Sequence, residues 1–264
     1  MTSLDFERYC DEIVSQTELL TAHVRGADMN APVHSCPGWN LGQLLRHVGG
    51  DHRWSEKIVR TRATAPVPGG LVDDVPAHTE EDESSLVPWL VEGAEALSAA
   101  LRAAGPDAQA WNPSEDRPAA VAFWARRMTY ETVVHRADAA HTTAAEFALD
   151  TGLAVDAVEE WLEYSTFPEA HEPRPDLPDL LAPDRTLGFQ APGAGCWLVD
   201  LTGERPVWRP GADGATATAT ATARGPVTDL LLYFYRRPAP AVDTQGDQDL
   251  LDLWRTRAGF WLEV

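Results

Sequence analysis

The most constraining feature of the chain is a helical stripe whose second half is polar. Trp124, Met128, Glu131, His135 and Asp138 follow one another at spacings of four, three, four and three residues. On an α-helix this spacing places all of these side chains on one inward-facing stripe. Burying carboxylate and imidazole groups is costly unless partners compensate them. The pattern therefore predicts a core helix whose polar half has a chemical role.

The polar half of the stripe contains a possible pair of metal ligands. Glu131 and His135 are four residues apart, so they share one helical face and can bind the same ion. The same spacing also fits a satisfied polar pair at a helix edge, and the pattern leaves both interpretations open. A third ligand is available from an upstream helical segment. There, His47 shares a face with Asp51, whereas His52 lies on the denser apolar face.

The pattern predicts two domains, because the chain of 264 residues changes character near residue 150. Residues 1–148 contain long amphipathic segments joined by loops, which predicts an all-α four-helix bundle. The predicted helices cover residues 3–25, 41–61, 83–104 and 119–140. Asn40 and Gln43 have the spacing of a capping box at the start of the second helix. Gly49 and Gly50 are expected to weaken that helix locally.

The C-terminal part alternates between short strands and helices. Residues 149–184 predict one helix, at 151–164, and a proline-rich linker that cannot remain helical. Residues 185–264 predict a smaller α+β domain. The predicted strands are 186–190, 196–200, 207–209 and the Thr/Ala run 215–223, and the predicted helices are 227–236 and 247–258. A low-complexity linker is the alternative for the Thr/Ala run, and the structured segments on both sides favour the strand.

Charge and composition limit the possible partners. The formal net charge of -20 argues against a nucleic-acid or anionic-membrane partner, because both require basic patches. No apolar run approaches the roughly 20 residues needed to span a bilayer. The N-terminus also lacks a signal-peptide pattern, so we expect a cytoplasmic protein, either a monomer or a small homo-oligomer. Alanine is abundant and Lys57 is the only lysine, a composition typical of GC-rich, for example actinobacterial, genomes.

The three cysteines, Cys10, Cys36 and Cys196, are widely spaced, which argues against a disulfide framework or a cysteine-based zinc module. For Cys36, at the start of the second predicted helix, we favour a role in loop packing over one as a nucleophile. His34, His78 and His171 are expected in solvated loops. Trp39, Trp54 and Trp124 are expected in the core, with one of them as a candidate pocket wall.

Two segments together resemble the signatures of a known enzyme family. They are CPGWNLGQLLRHVGGDHRW at residues 36–54 and RRMTYETVVHRADA at residues 126–139. The chain is similar here to the mycothiol-dependent maleylpyruvate isomerase family, and the C-terminal GPVTDLLLYFYRR and GDQDLL extend the resemblance. The resemblance implies a DinB-like N-terminal bundle. It also implies a divalent metal, usually zinc, bound by His47, Glu131 and His135, and thus favours His47 over His52.

The resemblance also implies a role for an arginine after the C-terminal LLLYFYRR helix. The family pattern has a glycine followed by an arginine that binds the substrate carboxylate. Arg237 aligns with that arginine, and Arg236 stands where the glycine is typical. From the residues alone, both arginines also suit a helix C-terminus, where they complement the helix dipole.

Two histidines and one carboxylate leave a coordination position open, as in catalytic rather than structural zinc sites. A thiol in that position would be deprotonated at neutral pH. We therefore expect a mycothiol-dependent enzyme acting on an electrophilic small molecule, either as a cis–trans isomerase or as a thiol S-transferase. A metal-binding or regulatory module without turnover is the alternative. Asp138 is expected either to orient His135 or to have a plain surface or capping role.

Overall fold

The computed structural model describes residues 4–69, 82–113, 119–212 and 214–262. Contacts between residues divide the chain into two compact units, residues 3–147 and residues 148–264. Each unit has a buried hydrophobic core of its own. Among the described residues, no helix combines the length and apolar character needed to cross a membrane.

The first unit is built from four long helices, which confirms the predicted helical bundle. The helices are α1 (Phe6–Val24), α2 (Leu41–Thr61), α3 (Glu83–Ala104) and α4 (Val121–Thr143). Helix α1 packs against α3 and α4, and α2 packs against the same two helices from the other side of the core. This arrangement places α2 and α4 in direct contact, so side chains of the two helices can form a common site.

The start of α2 is fixed by the predicted capping box. The side chain of Asn40 accepts a hydrogen bond from the backbone N–H of Gln43 at 2.8 Å, and the Gln43 side chain accepts one from the backbone N–H of Asn40 at 3.0 Å. These two bonds satisfy backbone donors that a helix otherwise leaves unpaired. Helix α2 therefore begins at Leu41 with a defined orientation.

Gly49, which was expected to weaken α2 locally, lies inside the continuous helix. Trp89 of α3 packs directly over this position, and a Cβ atom on Gly49 would lie 2.2 Å from its ring. The missing side chain thus allows α2 and α3 to approach closely. The local propensity cost of glycine is offset by this helix packing.

Helix α4 is buried on nearly every side. Its side chains are buried around almost the whole helix from Val121 to Ala140, including those of His135 and Asp138. A helix of this kind has no solvated face on which to place polar groups. The polar half of the stripe is therefore inside the fold, as its spacing predicts.

The second unit begins with α5 (Thr151–Tyr164), followed by the proline-rich stretch. The expectation that this stretch contains no helix is wrong, because Pro168–His171 forms one short turn, α6. Pro168 occupies the first turn of α6, where the backbone N–H has no intrahelical partner and proline is tolerated. The α+β character predicted for the remainder is confirmed.

Among the described residues the sheet has five strands in the order β3-β2-β1-β4-β5. All neighbours are antiparallel except β1 and β4, which are parallel. The strands are β1 (Thr186–Ala191), β2 (Gly195–Asp200), β3 (Val207–Pro210), β4 (Ala221–Arg224) and β5 (Asp243–Gly246). Helices α7 (Val227–Phe234) and α8 (Gln248–Ala258) complete the unit, and α7 ends two residues before the predicted boundary. Strand β5 was not predicted, because DTQG lacks apolar alternation.

The Thr/Ala run is only partly a strand. Residues Ala215–Thr218 form a 3₁₀-helix, and pairing with β1 starts at the end of the run, in β4. The reason is a contact with Gly188 of β1, where Thr216 occupies the space that a side chain would fill. The first half of the run therefore packs against β1 instead of extending the ladder, which period-two alternation cannot reveal.

Candidate metal centre

The structure brings His47, Glu131 and His135 together at the contact between α2 and α4. Their nearest ligand atoms all lie within 4.8 Å of one another. Glu131 Oε1 is 3.2 Å from His47 Nε2 and 2.9 Å from His135 Nε2. One turn of α4 thus supplies two of the donors, and α2 supplies the third from the opposite side.

Asp138 fixes the orientation of His135. Its Oδ2 atom lies 2.9 Å from His135 Nδ1, and its side chain is fully buried. A surface role for Asp138 is therefore wrong. A carboxylate on one ring nitrogen leaves the other, Nε2, directed at Glu131, which is the arrangement found around metal-binding histidines.

Two further charged residues border the cluster. Arg127, one turn before Glu131 on α4, forms an ion pair with Glu131 Oε2. Asp51, one turn after His47 on α2, lies with its Oδ2 3.3 Å from His47 Nε2. Arg127 was not identified from the sequence, although its spacing of four from Glu131 is the signal of such a pair.

Burial and charge shift the pKa values of the cluster in different directions. Burial raises the pKa of Asp51 to about 6, against the opposing effect of His47. Burial also acts to raise the pKa of Glu131, but Arg127 and the hydrogen bond from His135 outweigh it and hold that pKa well below its usual value. Burial acts to lower the pKa of His135, but hydrogen bonds to Asp138, Cys36 and Glu131 raise it well above normal. Glu131 is therefore held as a carboxylate.

Trp39 and Cys36, from the loop before α2, close one side of the cluster. The ring of Trp39 lies 4.8 Å from that of His47 and 6.1 Å from that of His135, measured between centroids. Cys36 Sγ is 3.4 Å from Asp138 Oδ2. Of the three tryptophans considered, Trp39 is thus the one beside the site. Trp54 and Trp124 pack edge to face in a separate aromatic group, 5.2 Å apart.

His52 lies apart from the cluster. It is completely buried, and its Nε2 atom is 2.9 Å from the hydroxyl of Thr132 on α4. Its Nδ1 atom has no hydrogen-bond partner in the described part of the chain. Burial lowers the pKa of His52 to about 3, so the ring stays neutral. The geometry thus joins His47, and not His52, to Glu131 and His135.

The donor set fits a divalent metal ion of the zinc type. Two imidazole nitrogens and a carboxylate oxygen are the ligands of many catalytic zinc sites. The Asp138 contact to His135 supplies the outer carboxylate that such histidines commonly have. A second group of possible donors, Cys36, His135 and Asp138, shares the His135 ring.

The loop histidines have different surroundings. His34 is exposed, as expected. His171 is only half-exposed, because it ends α6, and burial lowers its pKa. His78 lies outside the described residues. His34 is not among the donors grouped around Glu131 and His135.

In the second unit, Arg236 and Arg237 follow the end of α7. Arg236 has a left-handed backbone with φ of 59°, and the backbone N–H of Arg237 donates to Leu232 O at 2.8 Å. Glycine is the usual residue at such a helix end. Arg236 therefore keeps the backbone conformation that suits the glycine expected at this position. The Arg237 guanidinium donates to Tyr235 O at 2.8 Å, whereas its expected contact with the metal pocket stays a prediction.

Fold and site together define a two-unit protein with a histidine–carboxylate centre inside a helical bundle. Comparison with known proteins identifies a family with these features. Residues 10–140 match the model of the mycothiol maleylpyruvate isomerase N-terminal domain. Through this domain the chain belongs to the mycothiol-dependent maleylpyruvate isomerase family, which confirms the resemblance of its two sequence segments.

Solved structures show the same fold over most of the chain. A crystal structure of a mycothiol-dependent maleylpyruvate isomerase aligns with a TM-score of 0.63 and 13% identity, covering 93% of this chain and 96% of that one. A histidine-to-alanine mutant of such an isomerase aligns with a TM-score of 0.64 and 12% identity, with the same coverage. No curated protein matches the sequence significantly.

Proposed function

We propose that this protein is a metal-dependent enzyme that adds mycothiol to an electrophilic small molecule. The observation that carries the proposal is the convergence of His47, Glu131 and His135 within 4.8 Å, in a domain of the mycothiol maleylpyruvate isomerase family. These three residues would hold the metal, for which zinc is our preference. A divalent ion there supplies positive charge that favours the thiolate form of a thiol.

The residues around the donors prepare them for this role. Asp138 holds the His135 ring so that Nε2, and not Nδ1, faces the site. Arg127 keeps Glu131 ionised and fixes its second oxygen. Trp39 covers the imidazole rings of His47 and His135 and reduces their contact with water. A preorganised site of this kind loses little free energy in rearrangement when its ligands bind.

The proposed reaction is addition of a thiolate to an activated double bond. The sulfur forms a bond to one alkene carbon, and the π electron pair moves onto the conjugated carbonyl oxygen. Rotation about the resulting single bond, return of the electron pair and expulsion of the thiolate give the other alkene isomer. If a proton instead adds to the enolate carbon, the thiol stays attached and the product is a thioether. The first outcome is isomerase activity, and the second is S-transferase activity.

Arg237 is the proposed substrate-binding residue. An arginine can bind a carboxylate through two parallel hydrogen bonds and stabilise an enolate. The left-handed backbone of Arg236 supports the alignment of Arg237 with the arginine of the family pattern. Arg237→Ala should raise KM for a carboxylate substrate about tenfold or more, whereas Arg236→Gly, its matched variant, should have a much smaller effect.

The substrate should be neutral or only weakly anionic. A net charge of -20 repels a dianion at long range, so one local arginine has to offset a large surrounding field. Raising the ionic strength should therefore increase kcat/KM for an anionic substrate and leave that for a neutral one nearly unchanged.

The deciding experiment follows products by mass spectrometry. Zinc-loaded protein is incubated with mycothiol and a panel of activated alkenes that includes maleylpyruvate. Double-bond isomers without adducts support the isomerase, and stable thioethers support the S-transferase. The control is the double variant His47→Ala, His135→Ala. If the wild-type protein forms neither product faster than this control, the proposed function is overturned.

A further inference from the structure

A groove of about 480 Å³ lies beside the candidate metal centre, in the loop that precedes α2 and in the first turn of α2. Its lining includes Asn30, His34, Trp39, Asn40 and Gln43, together with loop prolines. The volume is in the range of small-molecule sites. A wall of one indole ring and several amide and imidazole groups suits a ligand that is polar and accepts hydrogen bonds.

The capping box leaves hydrogen-bond donors free in this groove. It uses the side-chain oxygens of Asn40 and Gln43, each as the acceptor for a backbone N–H. The amide nitrogens of both side chains remain, and within the described part of the chain neither has an acceptor. Because the cap fixes both side chains in place, the two NH₂ groups are held in the groove at little further entropic cost.

The groove and the candidate metal centre share the side chain of Trp39. Trp39 lines the groove and also contacts the rings of His47 and His135. Gln43 stands one turn before His47 on α2, so the two side chains lie on the same helical face about 6 Å apart along the axis. A ligand that starts at His47 and extends by about one helical turn along α2 would therefore meet Gln43 at the edge of the groove.

We propose that the groove binds the body of the thiol cosubstrate, with the NH₂ groups of Asn40 and Gln43 donating to its amide carbonyl oxygens. The inference rests on the proposed function and specifies which part of the chain recognises mycothiol. Mycothiol carries its thiol on an acylated cysteine that is joined through an amide to a glucosaminyl-inositol. Its carbonyl oxygens follow the sulfur closely and only accept hydrogen bonds. The sugar rings would then lie along the remainder of the groove, beside Trp39.

Two isosteric substitutions test the proposal. Asn40→Asp and Gln43→Glu keep the oxygen that each capping bond needs but replace the NH₂ donor with a carboxylate oxygen. We expect each variant to lower the ratio of kcat/KM for mycothiol to kcat/KM for 2-mercaptoethanol about tenfold or more. The Kd for S-methyl mycothiol, measured by calorimetry, should rise by a similar factor. Gln109→Glu adds the same charge on an exposed loop outside the groove and should change both quantities less than threefold.

The possible results distinguish failure of the groove assignment from failure of the proposed function. Unchanged thiol preference and unchanged Kd, in variants with wild-type Tm and zinc content, would overturn the groove assignment while leaving the proposed function intact. Failure of the wild-type protein to bind S-methyl mycothiol would also overturn the groove assignment. Binding that weakens in the variants, in a protein without any thiol-dependent turnover, would support the groove and contradict the proposed function.

Discussion

Helix α2 presents two histidines to α4 in opposite environments. His47 lies among ionised or ionisable groups, Glu131, His135 and Asp51, and 16% of its side chain is exposed. His52, little more than one turn later, is completely buried and contacts the hydroxyl of Thr132. The first environment offers several ligand atoms around one point, whereas the second offers one neutral hydrogen bond in a dry core.

The bundle keeps its charged side chains around His47 and a dry, neutral core around His52. Carboxylates can be kept ionised inside a protein only if cations or hydrogen-bond donors compensate their lost hydration. Arg127, His135 and His47 do so around Glu131, and no comparable set surrounds His52 among the described residues. A cation can therefore be accommodated beside His47 at a much lower cost than beside His52.

Loss of a donor should give the largest effect. We expect purified wild-type protein to contain about one zinc-like ion per chain, and His47→Ala or His135→Ala to weaken zinc affinity more than a hundredfold. Metal content after dialysis and competition with a chromophoric chelator measure both quantities. His52→Gln is the matched control and should retain the metal. Loss of zinc in His52→Gln together with retention in His47→Ala would reverse the comparison.

The carboxylate behind His135 should have the next largest effect. Asp138→Asn keeps the size of the side chain but removes the charge that favours a proton on Nδ1 and a free lone pair on Nε2. We expect zinc affinity to fall by about 10- to 100-fold. The same chelator competition measures it, with circular dichroism to verify folding. Wild-type affinity in this variant would mean that Asp138 has no part in orienting His135.

The sequence predicted much of this architecture because its signals are local. The capping box of Asn40 and Gln43, the boundaries of α3 and α5, and the polar half of the α4 stripe all depend on spacings within a few residues. The choice between His47 and His52 was different. It depends on the register of α2 against α4, which the pattern of either helix alone does not contain, and only the family resemblance favoured His47.

The features that the sequence did not predict depend on contacts between residues that are distant in the chain. Thr216 packs against Gly188 of a distant strand, so the Thr/Ala run could not be divided correctly from its alternation. Strand β5 forms because its backbone pairs with β4, while its side chains carry little strand signal. Asp138 likewise contacts Cys36, which is 102 residues away in the sequence, so its surroundings could not be predicted from α4 alone.

The neutral state of His52 should make the stability of the fold depend on pH. Its pKa is about 3 in the folded protein, below the usual value near 6.5 in the unfolded chain. The unfolded state therefore binds an extra proton between these values, and the stabilisation present above pH 6.5 is lost as the pH falls towards 3. At pH 5 the loss should be about 2 kcal/mol.

Chemical denaturation of chelator-treated wild type and His52→Gln at pH 7.5 and pH 5 measures this effect. Glutamine can keep a hydrogen bond to Thr132 but does not titrate in this range. The free energy of unfolding of the wild type should fall by about 2 kcal/mol more than that of the variant. Equal pH dependence in the two proteins would show that His52 is not held neutral in a dry core.

The smallest expected effect is at Cys36, and it decides between the two groups of donors that share His135. Cys36 Sγ lies 3.4 Å from Asp138 Oδ2, and a thiol is a weak hydrogen-bond donor. If the metal is held by His47, Glu131 and His135, Cys36→Ala removes only weak thiol contacts, to Asp138 and to the His135 ring. Zinc affinity should then fall less than about fivefold, since one such bond contributes no more than about 1 kcal/mol. The zinc affinity of Cys36→Ser, which supplies a stronger donor, should stay within twofold of wild type.

The opposite pattern would identify Cys36, His135 and Asp138 as the metal site. Cys36→Ala would then lower zinc affinity as much as His135→Ala, and His47→Ala would hardly change it. Chelator competition on these variants therefore determines which nitrogen of the shared imidazole faces the metal.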